Sequence, residues 1–128
     1  SAQVAAHNRT VHRLKWHPLE GHQTLVTASQ DSTVKIWDRR AQRRGAQCVV
    51  TIQPNKGAVN RDVAFDPHDG HRLAIAMESG QVALYDRRRP NVPVGRFVAH
   101  GGSVLGLAWH PTWAHTLATA SADCTVKV

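Results

Sequence analysis

The side chains best able to do chemistry are nine histidines and nine acidic residues. A metal site needs three or four such groups converging, and a nucleophilic site needs a serine or cysteine within reach of a base. Three histidines recur in register, because His22, His71 and His115 each stand five residues beyond His17, Asp66 and His110. Loops at equivalent places in neighbouring repeats share a face, so these could form a row. Their spacing nevertheless fits no zinc pattern, and exposed hairpin loops with no metal are the expectation. Cys48 and Cys124 stand in unlike contexts with no second thiol near either, which points to reduced thiols and an intracellular compartment. No GxSxG elbow, HExxH pair or P-loop is present, and neither cysteine has a plausible histidine partner. Gly101-Gly102 precedes a strand, whereas a phosphate cradle would need a helix. The reading is a non-enzyme without cofactor, in which Asp31 and Asp123 act as structural acceptors.

The net charge of +7 is concentrated in Arg39-Arg40, Arg43-Arg44 and Arg87-Arg88-Arg89. Such clusters suit nucleic acid, an anionic membrane surface or an acidic protein. No aromatic residue interleaves with the arginines to stack bases, so direct nucleic-acid binding is not expected. A chain of 128 residues is enough for one domain, and 41% hydrophobic with 20% charged residues fits a globular protein. No apolar run approaches the roughly 18 residues that cross a bilayer. Ser1 and Val128 both look cut, so the lack of a signal peptide carries little weight.

These residues must be positioned by a repeat. Trp16-His17-Pro18 recurs as Phe65-Asp66-Pro67 and Trp109-His110-Pro111. Val34-Lys35-Ile36-Trp37-Asp38 recurs as Val82-Ala83-Leu84-Tyr85-Asp86 and begins again as Val126-Lys127-Val128. Leu25-Val26-Thr27-Ala28-Ser29 matches Leu73-Ala74-Ile75-Ala76-Met77 and Leu117-Ala118-Thr119-Ala120-Ser121. The period is close to the roughly 40–45 residues of a four-stranded propeller blade. Within each period, short alternating apolar runs rich in β-branched residues end at turn residues, and no stretch keeps a helical period. The first unit reads as strands at 11–16, 25–29, 33–37 and 48–52, and 94–98 supplies an outer strand for the second. The fold class is all-β, with about two full blades and most of a third: blade 1 about 7–52, blade 2 about 57–98 and blade 3 about 100–128. Three blades cannot close a ring of roughly four to eight, and raw strand edges invite aggregation.

The pattern His7…Thr27-x-Ser29-x-Asp31…Trp37-Asp38, largely repeated as His100…Thr119-x-Ser121-x-Asp123, resembles the WD-repeat signature. The resemblance implies a hydrogen-bonded tetrad of His7, Thr27, Asp31 and Trp37, with His100, Thr119 and Asp123 in the third unit. A buried histidine and carboxylate are costly unless each satisfies the other. The middle unit departs from the pattern, with Asn55 near the histidine position, Ser79 for the aspartate and Tyr85 for the tryptophan. It should lack the network and be the softest of the three.

Among WD-repeat families, the details resemble most closely the WD-repeat subunit of the GATOR/SEA nutrient-signalling complex. The supporting stretches are His7-Asn8-Arg9-Thr10-Val11, Ser29-Gln30-Asp31, Arg61-Asp62-Val63, Tyr85-Asp86-Arg87-Arg88-Arg89-Pro90 and Phe97-Val98-Ala99-His100. The resemblance implies a scaffold that promotes TOR signalling in response to amino acids, at a lysosomal or vacuolar surface or elsewhere in the cytoplasm. Its partners would be other propeller subunits, any membrane association would be peripheral and through the complex, and more blades and a C-terminal zinc module would lie elsewhere in the protein. Trp37-Asp38-Arg39-Arg40 and Tyr85-Asp86-Arg87-Arg88 also resemble the boxes by which substrate receptors dock on a cullin-type ubiquitin ligase adaptor. Peroxisomal import receptors and histone-binding subunits share such endings and remain alternatives. A propeller presents loops on rigid strands as a preformed surface. Asn8, Arg9, Gln30, Lys56, Asn60, Arg61 and Ser103 are candidate partner contacts on the face carrying the turns before each first strand.

Overall fold

The computed structural model describes residues 3–40 and 45–128, so Arg43-Arg44 and Ser1 lie outside the described residues. Val11–His17 (β1), Gly21–Ser29 (β2), Val34–Asp38 (β3) and Gln47–Ile52 (β4) pair in that order in one antiparallel sheet. Asn60–Asp66 (β5), Asp69–Met77 (β6), Gln81–Asp86 (β7) and Gly95–Val98 (β8) repeat the arrangement. Val104–Trp109 (β9), Leu117–Ser121 (β10) and Val126–Lys127 (β11) form a third sheet of three strands. The described residues are therefore all-β, and the sheets are successive blades of a propeller whose ring is not closed.

Sequence explains where the strands turn. His17 is followed by Pro18, which has no N–H for the ladder, and the chain reverses so that His17 faces Gly21. The second strand of each full sheet starts four residues earlier than its apolar run predicts. Thr24 pairs with Asp38, and Arg72 with Asp86, so polar residues extend the ladder beyond the apolar run. Each first strand also carries an extra residue near its start: His12, Arg61 and Leu105 occupy bulges that bend it locally.

The sheets pack face to face around two apolar layers. Leu73, Ile75 and Met77 on β6 point toward Val26, Ala28, Ile36 and Ile52 of the first sheet. Ala74 and Ala76, on the opposite face of the same strand, meet Val104 and Leu107 of the third. This is the two-residue period of a strand buried on both sides. Each full burial of a side chain such as Leu73 or Ile75 stabilises by about 1.5–3 kcal/mol. The middle sheet, expected to be softest for want of a tetrad, is thus the one with both faces covered.

The turn between second and third strands needs a left-handed residue. Ser32 (φ 71°), Gly80 (φ 91°) and Cys124 (φ 72°) occupy it in the three sheets. At Gly80 the need is doubled, because a Cβ would lie 2.2 Å from the His100 carbonyl oxygen. The Gly80 carbonyl in turn accepts the Ala99 and His100 amides, tying the middle sheet to the third.

Candidate functional site

In the first sheet the turn after β2 places Asp31 below the segment that precedes β1. Asp31 Oδ1 accepts the Thr33 hydroxyl (2.6 Å) and amide (2.9 Å). Its Oδ2 accepts the Asn8 amide (3.1 Å) and lies 2.9 Å from His7 Nδ1. His7 Nε2 is 2.7 Å from Thr27 Oγ1, which also accepts the Trp37 indole N–H at 3.0 Å. A neutral His7 satisfies every partner: Trp37 donates to Thr27, Thr27 to His7, and His7 to Asp31. Burial pushes the Asp31 carboxyl up, but the Thr33 hydroxyl and amide, the Asn8 amide and His7 outweigh it and hold it below the usual carboxylate range.

The third sheet repeats this geometry. His100 Nδ1 is 2.9 Å from Asp123 Oδ2, and its Nε2 is 2.8 Å from Thr119 Oγ1. The Thr125 hydroxyl and amide bond Asp123 Oδ1 at 2.6 and 2.9 Å. The Thr125 hydroxyl is the main influence holding the Asp123 carboxyl at about 2, against the opposing effect of burial. Sequence reasoning missed Thr33 and Thr125, although the repeated spacing Asp31-x-Thr33 and Asp123-x-Thr125 carries the signal. It also missed Lys35 and Lys127, whose ammonium groups bond the Ala6 (3.1 Å) and Ala99 (2.7 Å) carbonyls and fasten the backbone just before each histidine.

The middle sheet has no such pair. Asn55 gives its amide N–H to Gln81 Oε1 at 3.0 Å, and Arg96 bonds Asn55 Oδ1 and the Pro54 carbonyl, both at 2.6 Å. Tyr85 is buried where Trp37 stands in the first sheet, and Ser79 is exposed.

Other residues join the middle sheet to its neighbours, and sequence reasoning assigned none of them a structural role. Asp62, only 2% exposed, lies at the centre of the fragment. Its carboxylate accepts Arg13 Nε at 3.2 Å and Lys15 Nζ at 3.1 Å from the first sheet, and the Leu107 amide at 2.8 Å from the third. The Val63 amide completes the shell at 2.8 Å. His17 is buried; its Nδ1 accepts the Leu19 and Glu20 amides at 3.0 Å and its Nε2 donates to the Gly70 carbonyl at 2.8 Å. The Trp109 indole similarly reaches from the third sheet to the Ala64 carbonyl at 3.0 Å.

The candidate contact residues divide. Arg87, expected on a docking surface, instead forks onto both oxygens of Glu20 across the sheet boundary. Its guanidinium is the main influence holding Glu20 at about 2, with burial opposing and Thr24 assisting. Asn60 corrects the same expectation: it opens β5 between two packed sheets and is fully buried, with neither amide atom bonded. Arg39 lies over Trp16, 5.9 Å from the ring centre, and bonds the His22 carbonyl. Arg40 forks onto Asp38 (Nε–Oδ1 3.1 Å, Nη2–Oδ2 2.9 Å), and Arg88 forks onto Asp86 (3.0 and 2.7 Å). Arg61 pairs with Glu78 at 3.4 Å, and Gln30 and Ser103 are half-buried. Asn8, Arg9 and Lys56 are exposed. Among the described residues, no three His, Cys, Asp or Glu side chains group to hold a metal ion, and no helix is long and apolar enough to cross a membrane.

Against this geometry, the model of the family described as WD domain, G-beta repeat matches residues 2–38 and 91–128. The chain is 38% identical over 122 residues to GATOR2 complex protein WDR24 from Homo sapiens, covering 95% of this chain and 15% of that protein. It is 34% identical over 120 residues to GATOR2 complex protein WDR59 from Homo sapiens, covering 94% and 12%. Restriction of telomere capping protein 1 from Lachancea thermotolerans is 31% identical over 127 residues, covering 88% and 10%. The chain thus spans about 15% of the length of the first of these relatives.

Proposed function

The chain belongs to the WD-repeat family, and from that premise we propose that it is part of a non-catalytic protein-interaction scaffold, a subunit of a GATOR-type assembly that promotes TOR signalling in response to amino acids. The similarity to WDR24 over 95% of the chain is the observation that carries this reading. The physical case is consistent with it. The histidine–aspartate networks fix the turns beside the first strands of the outer sheets, so Asn8 and Arg9 stand on a backbone that has little freedom left to lose on binding. Asn8, Arg9 and Lys56 are the contacts assigned to that surface, with Gln30, Arg61 and Ser103 at its margin. On this reading the blades span about 7–52, 57–98 and 100–128. The working location is the cytoplasm, at a lysosomal or vacuolar surface reached through the complex.

The ubiquitin-ligase reading ranks second, because Arg40 and Arg88 each give two N–H groups to Asp38 and Asp86, leaving less of each guanidinium for an adaptor. A native pull-down of the full-length protein from its own cells, read by mass spectrometry, separates the two. Recovery of several other propeller proteins with a nuclear-pore-like scaffold subunit is the expected result. Recovery of a cullin and its adaptor, lost on replacing Arg40 and Arg88 with alanine, would overturn the scaffold assignment.

A further inference from the structure

A cleft of about 460 Å3 at the end of the middle sheet is lined by Arg72, Asp86, Arg88, Arg89 and Val94. Arg72 on β6 stands directly across from Asp86 on β7, and the chain leaving β7 supplies Arg88 and Arg89. Three guanidinium groups therefore line the cleft beside one carboxylate, which Arg88 already occupies with its fork. Arg72 approaches Asp69 at 3.5 Å, but both side chains are nearly half exposed, so water screens the pair. Arg89 has no ion-pair partner among the described residues.

The corresponding cleft of the first sheet differs among its described residues. It is lined by Glu20, Asp38, Arg40 and Arg87, in which each cation is matched by an anion. Thr24 lies across from Asp38 there, where the middle sheet has Arg72 across from Asp86. Among the described residues, the two homologous corners thus differ in charge, the first balanced and the second cationic.

We propose that the cationic corner is a docking site for an acidic segment of a protein partner, whose carboxylates fork onto Arg72 and Arg89. The planar guanidinium matches a carboxylate with two parallel N–H bonds, and a concave wall of one sign focuses the field on an incoming anion. Val92 and Val94, 64% and 50% exposed, flank the arginines and suit an apolar side chain beside the acidic ones. The cleft lining holds no aromatic ring on which a base could stack, which favours a peptide over nucleic acid. This inference stands apart from the assembly reading, since the complex can form whether or not this corner is filled.

The test is fluorescence anisotropy of a fluorescein-labelled peptide of alternating glutamate and leucine, titrated with the purified full-length protein. Arg72→Glu/Arg89→Glu should weaken binding at least roughly tenfold, equivalent to about 1.4 kcal/mol. Ser79→Glu/Ala122→Glu, in exposed turns at the opposite end of the strands, should leave it within about twofold. Unchanged melting curves exclude misfolding, and Arg89→Ala alone, which keeps Arg72, should give a smaller loss in the same direction. Equal losses in the two double variants would reduce the effect to net charge and overturn the site. So would an unaffected Arg72/Arg89 variant, or absence of peptide binding. Binding to phosphatidylserine vesicles or a DNA duplex that depends on Arg72 and Arg89, with none to the peptide, would equally overturn it.

Discussion

The first and middle sheets share one strand order and nearly one register, yet they are held by different means. In the first sheet the polar stabilisation is internal, running from Trp37 through Thr27 and His7 to Asp31 within a single blade. In the middle sheet, beside the Asn55, Gln81 and Arg96 bonds, it is external: Asp62 gathers donors from both neighbours, Glu20 reaches Arg87, and His17 reaches the Gly70 carbonyl. A blade between two others can thus dispense with its own histidine–aspartate pair when its neighbours supply the contacts. Its identity as a folded unit then depends on theirs.

The largest expected effect follows from removing the centre of that external set. Asp62→Ala would leave the buried Val63 and Leu107 amides without an acceptor and Arg13 and Lys15 without their anion. Breaking a buried pair costs about 3–5 kcal/mol, and the lower end applies because Arg13 and Lys15 still reach water. Hydrogen exchange in the full-length protein should accelerate in β5 and β9 together, because the carboxylate serves both. Acceleration confined to β5 would show that Asp62 acts within its own sheet, and the contrast would collapse.

Gly80→Ala comes next. It forces a Cβ into a left-handed turn at a cost of about 1–3 kcal/mol, and against the His100 carbonyl as well. The third sheet should therefore loosen through its His100 network, visible as faster exchange of the β10 amides. In the first sheet Ser32 already occupies the equivalent left-handed position, so Ser32→Ala is expected to cost less than Gly80→Ala, through loss of its hydrogen bond with Gln53. A cost for Gly80→Ala no larger than that for Ser32→Ala in urea melts would mean that neither the left-handed turn nor the approach of His100 limits Gly80.

What the sequence disclosed follows from the same contrast. Interactions within one repeat recur with the repeat, so His7, Thr27, Asp31 and Trp37 stand out beside His100, Thr119 and Asp123, and the structure brings each set together. Thr33 and Thr125 recur in the same way, although a threonine two residues after an aspartate is also ordinary turn chemistry. Contacts between repeats leave no such trace. Asp62 aligns with Arg13 and Gly106, three unlike residues, because their roles are complementary across a boundary and not equivalent along the chain. Asn60 was misplaced on the surface for a related reason: a polar residue opening a strand reads as exposed, unless it is known that sheets pack against it from both sides.

A smaller effect tests the internal network. Asp31→Ala removes the acceptor for the Thr33 hydroxyl and amide, the Asn8 amide and His7, and a turn-capping acceptor of this kind is worth about 1–2 kcal/mol. Ser79→Ala, at the same place in the middle sheet, should shift the urea midpoint hardly at all, because Ser79 is exposed and belongs to no network. Matching losses at the two positions would show that the turn itself, and not the histidine pair, is what the aspartate supports.

The smallest expected effect is a pH dependence at the boundary between these two sheets. Glu20 is held at about 2 in the folded chain, chiefly by the Arg87 guanidinium, whereas an unfolded glutamate titrates at about 4.5. A depressed carboxylate contributes stability that is present in full above the unfolded value and is lost as pH falls through the folded one, because the unfolded chain takes up the proton first. The Glu20–Arg87 contribution should therefore be constant from neutral pH to about 5 and disappear between about 4.5 and about 2. Glu20 is partly open to solvent, so its size is that of an exposed pair, no more than about 1 kcal/mol. Urea midpoints of wild type and Glu20→Gln should differ by that amount at pH 7 and converge near pH 2. Asp31 and Asp123 titrate on both chains alike, so their acid destabilisation cancels in the difference. A gap that persists undiminished at pH 2 would mean that the glutamine disturbs the Thr24 and Arg87 contacts by shape, and that the boundary is held by packing in place of charge.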